Sequence, residues 1–235
     1  MFRNHKLDWF LIGLSIIAAL AMVVTSEDRL PASLKGTPVG SWLMQLPTGN
    51  QIVFNLAVGL IAGVLVFFLV VRIPEHTKRH RVRRNLALAY DSFKEASIAV
   101  FLGAINTSYS LDLLRNLKDQ SQFKEYFSQP FASGQTRWDG VANGLDDYRV
   151  RTLVVEVEVF MNELHYTLSS VDVTEPKAFE LLKRLSHILY RSKNWSTEYD
   201  DVKSMLGFMW SLHTGWDWVT GYRSTDLIAE TIAAV

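Results

Sequence analysis

The chain has no cysteine in its 235 residues, which excludes disulfides and thiolate metal sites and leaves the redox compartment unmarked. It also lacks GxxxxGK[ST], HExxH and GxSxG, and no GxGxxG follows a strand. Those gaps remove the phosphate cradle, the zinc-protease helix and the nucleophile elbow. Glu-x-x-His is missing too, the usual mark of a carboxylate–histidine metal centre in a helical bundle. His165, His187 and His213 fall on three different helical segments, and Glu158, Asn162 and His165 share one face. Without the paired motif they define no metal site, and neither a metal nor a cofactor is expected. Ser169 and Ser170 lie near His165 only in sequence, and Asp146-Asp147 and Asp200-Asp201 sit at helix starts, where capping explains them.

Charge of either sign is absent from two apolar stretches, residues 9–25 and 52–71. A helix needs roughly 20 apolar residues to cross a hydrocarbon core of about 30 Å. The second stretch has that length, and the first reaches it with Trp9 and Lys6 at the interface. Backbone groups in lipid must pair within their own segment, so both are expected to be helices.

Basic residues set the orientation. Arg3 and Lys6 precede the first span, and Arg72, Lys78, Arg79, Arg81, Arg83 and Arg84 follow the second. The connecting loop, residues 26–51, carries Glu27 and Asp28 against Arg29 and Lys35. Both termini are therefore expected on the cytoplasmic side, with the loop outside. Ala19-Leu20-Ala21 resembles a signal-peptide cleavage site, but the apolar run continues through Val24 and a second span follows. Either way the C-terminal portion stays inside.

Within the second span, Asn55, Gly59 and Gly63 share one helical face that permits close backbone approach. Packing on the first span, through Ser15 and Ala19, is favoured over packing on another copy. The loop, with Pro31, Pro38, Pro47 and several glycines, reads as irregular, and Trp42 suits the outer headgroup layer.

Zero formal net charge hides an asymmetry. Residues 78–84 hold five cations and no anion, whereas residues 85–235 carry 14 Lys and Arg against 20 Asp and Glu. The acidic body argues against nucleic acid as a partner. The stem, residues 74–84, reads as a topology determinant among anionic headgroups, which are the expected lipid partners.

From residue 82 the period is helical. Leu86, Tyr90, Phe93, Ser97, Val100 and Ala104 make one face, followed by short helices around Leu111–Leu117 and Phe123–Phe127. Residues 129–144, with Pro130, Gly134, Gly140 and Gly144, read as a loop. Val155-Glu156-Val157-Glu158-Val159 alternates like a strand, yet Leu153, Val157, Phe160, Leu164 and Leu168 keep helical spacing, so a helix over 145–169 is expected. Thr174 and Ser196 suit helix N-caps. Phe179, Leu182, Leu185 and Leu189 then face a core, as do Tyr199, Val202, Leu206, Met209, His213 and Trp216. Gly221 is expected to end the last long helix, with a short helix in residues 224–234.

The chain is thus expected to be all-α. Residues 1–73 form a two-span anchor and residues 74–235 a cytoplasmic bundle of five to seven helices. Trp210, His213, Trp216, Trp218 and Tyr222, joined by Trp138 and Phe131, form the richest aromatic set. Core packing explains most of it, and a groove for a partner segment is the functional alternative. The leading expectation is a non-catalytic interaction or sensing module in a bacterial-type inner membrane, with a protein partner or as a homo-oligomer. Two alternatives stand beside it. One is a membrane-perturbing oligomeric effector, weakened because only Ser15 and Asn55 are polar within the spans. The other is a lipid-acting enzyme using His165 or His213.

Overall fold

A computed structural model describes residues 2–26, 38, 50–106, 108–132, 134–217 and 221–235. The chain is mostly helical and divides into two compact units, residues 1–78 and 79–235. Of the proline-containing loop read above as external, residues 27–37 and 39–49, with Trp42, lie outside the described residues.

In the first unit, α1 runs Phe2–Thr25 and α2 runs Gln51–Phe67. Asn50 caps α2 by accepting from the Val53 N–H at 3.3 Å. Two helices are long and apolar enough to cross a membrane, Lys6–Thr25 within α1 and the continuous helix Gln51–Ala104 that α2 begins; their apolar windows have mean hydropathies of 2.3 and 2.7, and only 6% of either is buried. That low burial separates them from the core helix of a globular domain. Trp9, Phe10, Ile16, Ile17, Ile52, Leu56, Leu65 and Leu69 all point outward.

The two helices meet through small residues, Ala18 and Ala57, each 7% exposed. This corrects the expected packing face. Ala19, Asn55, Gly59 and Gly63 are exposed, and a Cβ built on either glycine would touch nothing within 4 Å. The α2 face turned inward instead follows Phe54, Ala57, Ile61 and Val64. Ser15 spends its hydroxyl on the Leu11 carbonyl at 2.8 Å.

At the end of α2 the helix widens into a π turn, Phe68–Arg72, before α3, Ile73–Ala104. Pro74 gives a local reason. Its ring clashes with the carbonyl of an ordinary preceding turn and it has no N–H to donate. The π turn closes with the Ile73 N–H donating to the Phe68 carbonyl, so Pro74 enters in the first turn of the next helix, where a missing N–H is tolerated. Arg72 then forms a two-pronged ion pair with Asp8, with Nε donating to Oδ1 at 2.7 Å and Nη2 donating to Oδ2. Since Asp8 precedes the apolar stretch of α1 and Arg72 follows α2, the two spans run antiparallel.

In the second unit, α3 buries Val82, Leu86, Tyr90, Phe93, Ser97, Ile98 and Phe101, while Val100 is only half-buried. Helices α4, Leu111–Asn116, and α5, Gln120–Ser128, follow, capped by Ser110 and Asp119. Strands β1, Pro130–Ala132, and β2, Gln135–Thr136, pair antiparallel. The next segment corrects the loop reading, because α6 spans Arg137–Gly144. A capping box starts it: Thr136 Oγ1 accepts from the Asp139 N–H, and the Asp139 carboxylate accepts from the Thr136 N–H. Gly144 is needed for contact, since a Cβ there would lie 2.0 Å from the Ala104 carbonyl oxygen.

Helix α7, Asp147–Ser170, contains the alternating valines. Val157 is fully buried while Val155 and Val159, one turn apart, face outward. Helix α8, Pro176–Ser192, starts with Glu175 at the N-cap, one residue later than expected. It buries Leu182, Leu185 and Leu189, whereas Phe179 is 41% exposed and outside the core. Helix α9, Tyr199–Thr214, has Glu198 as N-cap; Ser196 instead donates to Asp201 at 2.7 Å just ahead of it. Tyr199 is 77% exposed and does not join the apolar stripe. The helix ends at Gly215, in a left-handed conformation, and not at Gly221. Strands β3, Trp216–Asp217, and β4, Gly221–Tyr222, pair before α10, Leu227–Ala233. Eight helices from α3 onward, among the described residues, exceed the five to seven expected, and α6 is the one read as loop. Their buried faces share one apolar core, in which Phe93 stacks on Phe160 at 5.3 Å.

Candidate functional site

The aromatic set divides between core and surface. Phe123, from α5, stacks on His213 with ring centres 4.6 Å apart and planes at 13°. Phe101, Trp138 and Trp210 meet the Phe123 ring edge-on, and Trp138 lies 5.2 Å from Trp210. His213 is 1% exposed, while Trp138 and Trp210 pack half-buried onto the cluster. Phe131 covers Gly140, which has no room for a Cβ beneath that ring. Trp216 and Tyr222 come together separately, as paired residues of β3 and β4, and Lys124 Nζ sits 3.4 Å above the Tyr222 ring. Trp218 lies outside the described residues.

The protonation state of His213 follows from its partners. Ser97 Oγ lies 2.9 Å from its Nε2 and 2.8 Å from the Phe93 carbonyl. The hydroxyl has one proton and the carbonyl can only accept, so Ser97 donates to Phe93 and Nε2–H donates to Ser97. Nδ1 is buried with no hydrogen-bond partner. A proton there would create an unpaired buried cation. Burial, and then the nearby Lys94 charge, hold this imidazole down to about 3.

A second polar group ties α10 to α3. Lys94 Nζ meets Asp226 at 3.1 Å, and the Tyr90 hydroxyl donates to the same carboxylate at 3.0 Å. Asp226 also caps α10 by accepting from the Ile228 and Ala229 N–H groups. Burial, reinforced by the Asp226 charge, pushes the Tyr90 phenol well above its ordinary range. These residues and Arg83, Arg84 and Lys118 line a cleft of about 570 Å³. Lys118 is itself paired, to Asp91 at 2.9 Å and Glu95 at 3.0 Å. The sequence reading missed this group. Its one local signal is a lysine four residues after a core tyrosine; its partner, 132 residues on, left none.

The basic stem is not uniform. Arg72 is committed to Asp8 and to Glu75 at 3.1 Å. Arg79 donates to the Asp172 carbonyl at 2.5 Å, and Arg83 contacts His80. Lys78, Arg81 and Arg84 are exposed. His165 and His187 share a different cleft, away from His213, and His165 Nε2 lies 2.6 Å from Ser186 Oγ.

No family model, no curated protein and no solved structure matches this chain.

Proposed function

We propose that this chain is a non-catalytic interaction module anchored by two spans in a bacterial-type inner membrane, with both termini and the helical body in the cytoplasm. The observation that carries the reading is the hairpin of α1 and α2, which turns its apolar side chains outward and pairs Asp8 with Arg72 at one end. An apolar surface of that length is stable in lipid, and the adjoining cations favour the cytoplasmic leaflet. Non-catalytic use is supported by the body's inner polar groups, since Lys94, Tyr90 and Asp226 saturate one another and His213 is sealed beside Ser97. The half-exposed Trp216–Tyr222 ribbon is the surface assigned to a protein partner.

The test is the native mass of full-length protein extracted in mild detergent, for wild type and a Trp216→Ala/Tyr222→Ala variant. A stoichiometric companion lost in the variant, with unchanged thermal stability, supports the reading. A lone monomer in both contradicts it. A defined homo-oligomer that persists in the variant would favour the oligomeric effector. That reading draws on the outward face of Asn55, Gly59 and Gly63, and conductance measurements would then decide it.

A further inference from the structure

Helices α7 and α8 leave between them a cleft of about 580 Å³ whose chemistry differs from the rest of the body. Lys183, His187 and Arg191 stand at i, i+4 and i+8 on α8, on a single helical face. His165 and Ser169 of α7 stand across from them. Among the described residues no carboxylate lines the cleft, in a body where acidic residues outnumber basic ones.

Pairing sharpens the contrast. The cations flanking this row are neutralised, Arg184 by Glu180 at 2.6 Å and Lys193 by Glu158 at 3.6 Å. Lys183 and Arg191, which face the cleft, meet no carboxylate within ion-pair distance among the described residues. The floor is also fixed. Ser186, 7% exposed, holds His165 Nε2 at 2.6 Å and so sets the orientation of that ring. Leu168 and Phe179 add apolar wall beside the polar groups.

We propose that this cleft binds a phosphate ester. Lys183 supplies a point charge, and Arg191 presents a planar fork that matches two phosphate oxygens. His187 and the Ser186-braced His165 contribute hydrogen bonds, while the Ser169 hydroxyl donates to the Tyr166 carbonyl at 3.0 Å and borders the cleft. The cleft has more room than a bare phosphate fills, and Leu168 and Phe179 suit an apolar remainder. A soluble phosphate ester and a phospholipid headgroup share this chemistry, and the experiment separates them.

Full-length protein in non-ionic detergent is titrated with inorganic phosphate against chloride at matched ionic strength. In parallel, short-chain phosphatidic acid is titrated against phosphatidylcholine in mixed micelles. Thermal unfolding and 31P line-broadening are followed in both. The expected result is a saturable response to phosphate, which assigns a soluble ester, or to phosphatidic acid alone, which assigns a headgroup. Binding should weaken at least about tenfold in the Lys183→Gln/Arg191→Gln variant, a loss of about 1.4 kcal/mol. Both side chains are exposed, so the unliganded variant should melt as wild type does. Lys183→Arg, which keeps the charge, should retain binding. No response to either probe, or an undiminished response in the double variant, would overturn the proposal.

Discussion

His213 shows how one buried side chain makes the whole body sensitive to acid. Its imidazole is held down to about 3 when folded, against an ordinary 6.5. The unfolded chain therefore binds the extra proton between those values, and this contribution to stability, complete above about pH 6.5, is lost as pH falls. The loss should be about 2 kcal/mol at pH 5. Chemical denaturation at pH 7 and pH 5 measures it, and His213→Phe should keep the stack on Phe123 while removing most of the difference. Equal pH dependence in wild type and variant would contradict this. Asp119 and Asp139, whose carboxyls are lowered chiefly by the Ser121 and Thr136 hydroxyls, add acid sensitivity only below the ordinary carboxylate range. Gly144 is the second residue with a sharp expectation. Its neighbour at 2.0 Å is the Ala104 backbone, which cannot rotate away. Gly144→Ala should cost about 3 kcal/mol in urea unfolding. The apolar stripe already placed His213 in the core, where it is buried against Ser97, but gave no sign of its acid sensitivity, and Gly144 read as a breaker when it is a point of close contact.

At the scale of elements, strong helical periodicity was legible and special geometry was not. The α7 and α8 spacings were visible because each carries its own helical repeat of buried residues, Leu153, Val157, Phe160 and Leu164 in α7 and Leu182, Leu185 and Leu189 in α8. Helix α6 was hidden by Gly140 and Gly144, although Thr136 and Asp139 held its capping box in plain view. The end of α9 was misplaced because two glycines competed, and only Gly215 closes the helix. The span-packing face failed for another reason. Gly59 and Gly63 satisfy a spacing rule, but the register of the hairpin is fixed by Asp8 and Arg72, whose pairing across 64 residues is invisible in a linear pattern. That pair makes its own prediction. Asp8→Asn should lower stability in detergent by about 2 kcal/mol. A double-mutant cycle with Arg72→Gln should show coupling above about 0.5 kcal/mol, and additive losses would mean the pair does not lock the hairpin.

For the whole molecule, composition and charge asymmetry carried the reading furthest. Two uncharged runs, a dense basic stem and an acidic helical body put the expected division after residue 73, whereas the two compact units divide after residue 78. The two clefts of the body were not legible, because each assembles side chains from separate helices. The absence of cysteine makes the central claim open to direct measurement, since every introduced thiol is the only one. Single-cysteine variants Ser33→Cys, in the connecting loop, and Ser224→Cys, ahead of α10, are labelled in intact cells with a membrane-impermeant maleimide. The account predicts labelling of Ser33→Cys in intact cells, and of Ser224→Cys only after the membrane is opened. Labelling of Ser224→Cys in intact cells, or protection of both sites until lysis, would contradict a two-span anchor with its body in the cytoplasm.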